Sequence, residues 1–225
     1  LTAGIVDLSR RWVKLGSRRF PVTRKRIGIM ISGRGSNMVA LIEACRDGRL
    51  DAEVALVLSD VEGAPGLEKA RSLGVTARAL VPEKYRTKLD SGDARAYALA
   101  FREAGVDLVC LAGFMRVVKA PLLEAFEGRI LNIHPSLLPS FPGLEAQRQA
   151  WEHGVKFSGC TVHLVDSSLD GGAIVAQRVV PVADDDTPET LAERILVEEH
   201  ELYPEAAGLV LSGKYHVEGR RVIRT

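Results

Sequence analysis

Cysteine is scarce in this chain of 225 residues and follows no pattern. Cys45, Cys110 and Cys160 are an odd number without Cys-x-x-Cys spacing, which excludes a disulfide framework, and each lies in an apolar or helical run, as small buried thiols do. A reducing compartment, the cytoplasm, suits them. Long apolar runs are also lacking: none approaches the roughly 18 to 20 residues of a membrane span, so no membrane partner is expected. Net charge is nearly absent, with 30 Lys and Arg against 29 Asp and Glu, and bulk attraction to nucleic acid is excluded with it. There is no internal repeat, no low-complexity segment, no Gly-x-Ser-x-Gly elbow and no setting for a nucleophilic cysteine, which argues against covalent acyl transfer.

What is present is a globular composition, 46% apolar and 26% charged. The length suits one core that buries about two-thirds to three-quarters of the unfolded chain's surface. The near-zero charge is a cancellation. Residues 1–26 hold eight basic side chains and one acid, whereas the rest holds 22 basic and 28 acidic residues, a net −6. Anion binding therefore has to be local. A secretory signal is excluded because charges interrupt residues 8–20 throughout. Residues 1–25 are expected to form a mobile or loosely docked extension, and an Arg-rich, acid-poor start is also the composition of an organelle transit peptide.

From residue 26 the chain alternates strand and helix. Residues 27–31 form an apolar strand ending in Gly33-Arg34-Gly35-Ser36-Asn37, after which Met38, Leu41, Ile42 and Cys45 recur at helical spacing. Strands follow at 54–58, 75–81 and 106–112, helices at 67–73 and 94–104, each helix stopped by a glycine. Near-continuous apolar strands separated by helices call for a sheet covered on both faces, so the expected fold is a doubly wound, mostly parallel α/β domain over residues 26–225. The second half adds a strand at 129–132, a Pro-rich loop, a short helix near 145–152, β-rich runs at 161–165 and 174–180, and a small closing hairpin. A long helix starts at Thr187-Pro188-Glu189, with Thr as cap and Pro in the first turn, bends at Pro204 and ends at Gly213.

Four places carry chemistry. At Gly33-Arg34-Gly35-Ser36-Asn37, backbone N–H groups opening a helix suit a single phosphate; the third Gly of a dinucleotide fingerprint and the Gly-Lys-Ser/Thr of a triphosphate loop are missing. The same residues also describe a tight turn with Ser36 as helix cap. Asn132 and His134 share one face at a strand's carboxyl end, where α/β sheets bind ligands, and Pro135 holds His134 extended. Singly, either residue suits a loop hydrogen bond; as a pair they suit catalysis. Asp170-Gly171-Gly172 is a turn by itself, but beside His134 its carboxylate would raise the imidazole pKa. Glu199 falls on the apolar face of the last helix, between Ile195 and Leu202, and either reaches solvent there or binds substrate hydroxyls. His163 and Asp166 lack a third metal ligand at suitable spacing, so no metal is expected.

Taken together, Ile31-Ser32-Gly33-Arg34-Gly35-Ser36-Asn37, Leu111-Ala112-Gly113-Phe114-Met115-Arg116, Leu131-Asn132-Ile133-His134-Pro135-Ser136-Leu137-Leu138-Pro139, Gly159-Cys160-Thr161-Val162-His163 and Leu169-Asp170-Gly171-Gly172 resemble the folate-dependent formyltransferases. Within them, the Gly-Ser-Asn loop points to the phosphoribosylglycinamide branch. The resemblance runs from about residue 26 to residue 213 and implies a Rossmann-like fold. It implies that Gly35, Ser36 and Asn37 hold the substrate phosphate and that Glu199 binds the ribose hydroxyls. Asn132, His134 and Asp170 match the catalytic trio. Met115, Arg116, Val117 and Val118, with the loop 165–170 (Val165, Asp166 and Asp170 among them), line the folate pocket.

Formyl donor and acceptor would be 10-formyltetrahydrofolate and phosphoribosylglycinamide, the enzyme a monomer or homodimer. Residues 84–95 depart from the family segment that often supplies an Arg near the folate, leaving Arg95 as candidate, and Glu145 stands where relatives often carry His. A formyltetrahydrofolate hydrolase, with its extra domain before the core, and a methionyl-tRNA formyltransferase, with a basic domain after it, fit the chain length less well. A phosphosugar-binding module would need neither His134 nor Asp170.

Overall fold

The computed structural model describes residues 12–15, 18–21 and 24–225. The expected extension over residues 1–25 lies largely outside them; within it, β1 (Trp12–Leu15) and β2 (Arg18–Pro21) pair as an antiparallel hairpin. The chain then runs β3 (Lys25–Ile31), α1 (Ser36–Asp47), β4 (Ala52–Ser59), α2 (Pro65–Ser72), β5 (Ala77–Ala79), α3 (Ser91–Glu103) and β6 (Leu108–Leu111). It continues through α4 (Ala120–Ala125), β7 (Ile130–His134), α5 (Ala146–Glu152), β8 (Phe157–Leu164), β9 (Ile174–Pro181), α6 (Pro188–Ser212), β10 (Tyr215–Glu218) and β11 (Arg221–Arg224).

One nine-stranded sheet has the order β10-β11-β9-β8-β7-β6-β3-β4-β5. From β5 to β7 all neighbours are parallel; β8 and β9 then join antiparallel, and the closing hairpin extends the edge beside β9. Helices cover both faces. Ile27, Ile29 and Ile31 of β3 pack with α1, α2 and α6, whereas Met30 points to the other side, where Tyr97 and Phe101 of α3 and Leu122 of α4 form a second apolar cluster. This is the doubly wound, mostly parallel arrangement that the apolar runs called for. Cys45, Cys110 and Cys160 are buried and free, their thiols pushed up to about 12 by burial.

Local boundaries moved for physical reasons. Asp90 caps α3 through a reciprocal box with Asp93, starting the helix three residues before the apolar pattern does. Thr187 and Thr190 make the same box for α6, which runs on through Pro204. The six-residue α4 is too short for its own periodicity and was not expected. β8 begins four residues earlier than the β-rich run, at Phe157, because pairing with β9 outweighs the weak propensity of Ser158-Gly159.

α6 crosses the strand ends that matter. Fully buried Tyr203 directs its hydroxyl at the Leu111 carbonyl, 2.9 Å, and the Leu131 carbonyl, 3.1 Å, tying the helix to the last residue of β6 and to the residue before Asn132 in β7. Tyr203→Phe should lower unfolding stability by about 1–3 kcal/mol, the cost of leaving buried carbonyls without this donor; denaturant unfolding with an unchanged midpoint would show that the hydroxyl contributes nothing.

Candidate active site

β3 ends in the glycine-rich loop, and α1 starts there without help from a side chain. Gly35 is the N-cap residue at φ 69°, a left-handed conformation that favours glycine, and no side chain caps the helix. The turn in which Ser36 caps α1 is therefore not the one found; Ser36 is the helix's first residue. From α2, Gly66 donates its backbone N–H to the Gly33 carbonyl at 3.0 Å, and Lys69 Nζ donates to the Arg34 carbonyl at 3.1 Å. The loop is braced from the side while the opening N–H groups of α1 lack a side-chain acceptor.

Asn37 Nδ2 donates to Glu199 Oε2 at 2.7 Å, and both residues are buried. Glu199 thus does not reach solvent: it is 6% exposed and bonded to the residue that closes the loop motif. Burial pushes its carboxyl up to about 7, only partly opposed by the Asn37 hydrogen bond. Asn37 Oδ1, also buried, has no hydrogen-bond partner. The pair presents a protonatable carboxyl and an open amide oxygen next to the loop, a combination suited to hydroxyl groups.

The second cluster forms where the sheet changes from parallel to antiparallel. Asn132 lies opposite His163, and His134 opposite Thr161, across β7 and β8. His134 Nδ1 is 3.5 Å from Asp170 Oδ2, and His163 Nε2 is 3.6 Å from Asp170 Oδ1, so one carboxylate faces two imidazoles. Asn132 Nδ2 is 3.2 Å from His163 Nε2. The loop after β7 closes over the group: the Phe141 carbonyl meets His134 Nε2 at 2.8 Å, and the Gly143 N–H donates to Asp170 Oδ2 at 2.8 Å. Asp170 takes a left-handed φ of 49°. Gly172 follows because any Cβ there would collide with the Leu164 carbonyl; a bare backbone lets the 165–172 loop fold against the end of β8.

The expected pull of Asp170 on His134 is present but is not the largest influence. Asp170 does favour the His134 imidazolium, as does the Phe141 carbonyl, but burial is the larger effect and leaves the imidazole pKa below its ordinary value. Burial likewise opposes ionisation of Asp170, yet His163, the Gly143 N–H and His134 together outweigh it and hold the carboxyl below its usual value. A carboxylate held ionised thus sits beside an imidazole that burial and its neighbours pull in opposite directions.

Segment 115–118 leaves β6 at the same end of the sheet. The Met115 N–H donates to Ser32 Oγ at 2.9 Å, and Met115 is exposed, as are Leu144 and Leu169. Arg116 does not present its guanidinium to this opening. Nε donates to Asp60 Oδ2 at 2.6 Å, a second nitrogen bonds the Tyr85 carbonyl, and the side chain is 10% exposed. Val117 pairs with Lys88, while Val118 is buried. Val165 is half-buried, its N–H on the Ile130 carbonyl, and exposed Asp166 accepts from Ser168 in its own loop. Arg95 stands on the exposed side of α3. Beside the segment lies an open cavity of about 480 Å³ lined in part by Lys84, Tyr85, Lys88 and Lys119. Glu145, at φ 59°, precedes α5 and pairs with Arg148 at 3.1 Å.

Residues named from sequence at four separate places thus meet in two linked groups, Asn37 with Glu199 and Asn132 with His134 and Asp170. From sequence His163 is weighed only as a metal ligand with Asp166 and as part of the Gly-Cys-Thr-Val-His string; the β7–β8 register that sets it opposite Asn132 is a tertiary fact. The lysine-lined cavity had no pattern to find.

The raised Glu199 pKa fixes a pH dependence. Its ordinary value is 4.5 and its folded value about 7, so between these the folded state binds more protons and stability falls as pH rises through that window. Glu199→Gln should raise unfolding stability at pH 8 by up to about 3 kcal/mol, read as a higher melting temperature, and lose that advantage near pH 4.5. An equal shift at both pH values would show that the carboxyl does not titrate there.

Comparison with known proteins shows the family. The formyl transferase family matches residues 25–207. The chain is 42% identical over 194 residues to the human trifunctional purine biosynthetic protein adenosine-3, covering 86% of this chain and 19% of that protein, so it spans about a fifth of that relative's length. It is 40% identical over 180 residues to the phosphoribosylglycinamide formyltransferase of Bacillus subtilis, covering 80% of this chain and 91% of that protein. The crystal structure of glycinamide ribonucleotide transformylase 1 from Symbiobacterium toebii superposes with a TM-score of 0.86 at 53% identity, covering 89% of this chain and 94% of that one. The chain belongs to the formyl transferase family.

Proposed function

We propose that this chain transfers the formyl group of 10-formyltetrahydrofolate to the amine of phosphoribosylglycinamide, a step of purine biosynthesis. The observation that carries the reading is the position of Asp170 between His134 and His163, with Asn132 3.2 Å from the His163 ring. The names of the relatives similar over most of the chain supply the substrates.

Gly35, Ser36 and Asn37 take the phosphate at the start of α1, and Glu199 with the open Asn37 amide oxygen takes the ribose hydroxyls. The glycinamide nitrogen attacks the formyl carbon, the bond from that carbon to the folate nitrogen breaks, and one proton passes from the attacking to the departing nitrogen. Asn132 donates to the formyl oxygen as negative charge develops on it, the contribution that oxyanion donors make in acyl transfer. Asp170 and His134 form a pair suited to take up the amine proton and return it. Two substrates held at adjoining sites supply the rest through proximity.

Exposed Met115, Leu144 and Leu169 suit the aromatic part of the donor, which segment 115–118 meets through its backbone, since the Arg116 guanidinium is committed to Asp60. Lys84, Lys88 and Lys119 in the neighbouring cavity suit its acidic glutamyl end.

The absorbance change of formyltetrahydrofolate with and without phosphoribosylglycinamide tests the reading. Turnover that requires the amine is expected; turnover without it would select a hydrolase, and none in either case a phosphosugar-binding module. His134→Asn and Asp170→Asn should each lower kcat by about 10²–10³-fold while phosphoribosylglycinamide binding persists, and near-normal kcat in either would remove that residue from the chemistry. The double variant Lys84→Glu, Lys88→Glu should raise KM for the donor and leave KM for phosphoribosylglycinamide unchanged; an equal rise in both would assign the cavity no part in donor binding.

A further inference from the structure

His163 is 2% exposed and is not among the residues to which the proposed reaction gives a role. Its surroundings fix its tautomer. Nδ1 lies 3.0 Å from the Leu164 carbonyl, an acceptor with no hydrogen to give, so Nδ1 carries the proton. Nε2 of the neutral ring is then a bare acceptor, 3.2 Å from Asn132 Nδ2 and 3.6 Å from Asp170 Oδ1. The shorter contact is a hydrogen bond and the longer one lies beyond hydrogen-bond length. An amide turned the other way would set its oxygen against a lone pair. β7 pairs Asn132 directly with His163, which brings the two side chains together.

We propose that His163 is a positioning residue: its bare Nε2 selects the orientation of the Asn132 amide, so that the second hydrogen on Nδ2 is the donor offered to the formyl oxygen. This rests on the formyl-transfer reading above. His163 touches neither substrate in this role. It acts by keeping the amide from turning its oxygen toward the place where negative charge develops, an orientation that would convert a stabilising contact into a repulsive one.

Gln places a side-chain oxygen about where Nε2 stands, whereas Met fills similar space without an equivalent acceptor. His163→Met should lower kcat by about 10²-fold, the scale of losing one oxyanion donor, with both KM values within about threefold of wild type. His163→Gln should recover most of that loss. On an Asn132→Ala background His163→Met should have little further effect, because the amide it orients is gone. A full further loss on that background, or a loss confined to KM, would overturn the proposal.

Nuclear magnetic resonance reads the same claim without turnover. Long-range ¹H–¹⁵N correlation at neutral pH should show His163 protonated at Nδ1 and bare at Nε2. The Asn132 amide hydrogens should lose their shifted resonance in His163→Met and keep it in His163→Gln. A proton on Nε2, which would instead be directed at Asp170, or an Asn132 amide indifferent to both substitutions, overturns the inference even if formyl transfer proceeds. Absence of formyl transfer in the wild-type chain would overturn the reaction assignment while the resonances still decide the orientation.

Discussion

The placement of the Asp170 carboxylate between two imidazoles is the constraint around which the catalytic end of the sheet is organised. A carboxylate half-removed from water needs partners, and here a backbone N–H from Gly143 donates to it while two imidazoles stand 3.5 and 3.6 Å away. Meeting that need requires β7 to pair antiparallel with β8, which brings His163 across from Asn132, and a glycine at position 172, which brings the loop back onto Leu164. It also requires the loop after β7 to fold over until residues 141 and 143 touch the group. The left-handed backbone at Phe141, Glu145 and Asp170 is concentrated in these two loops, where surrounding contacts hold it.

α6 couples this cluster to the phosphate loop. Glu199 and Tyr203 are one helical turn apart; the first bonds Asn37 at the start of α1, and the second spans the ends of β6 and β7. A rigid helix therefore sets the spacing between the place suited to phosphosugar and the place suited to the formyl group, and proximity catalysis depends on that spacing. Glu199 stays in an apolar helix face at an energetic penalty above neutral pH, while the Arg116 guanidinium is neutralised by Asp60 beneath segment 115–118. One buried polar group serves the site directly, the other shapes its wall.

Much of this arrangement was legible in the residues. The strand-helix alternation up to β7 follows from near-continuous apolar runs, because a parallel sheet buried on both faces leaves no other pattern. Asn132 and His134 were recognisable as a pair because strand alternation is strictly local, and Glu199 because a carboxylate breaks a helical apolar face. Sequence names the charged neighbour that raises the His134 pKa but not how deeply both are buried, and burial is the larger effect. Arg116 was assigned to a ligand surface because its motif was right, yet the direction of a long side chain depends on a carboxylate 56 residues away.

The amino-acid sequence by itself determined the doubly wound core, the ends of its helices and the residues that gather at the two groups, since periodicity, capping and glycine placement act over a few neighbouring positions. Only the tertiary structure decided what those residues are to one another. That Asn37 holds Glu199, that Asp170 lies between His134 and His163, and that His163 faces Asn132 depend on strand register and loop closure across long stretches of chain, where the protonation of each group is set by the depth and the company in which it is buried.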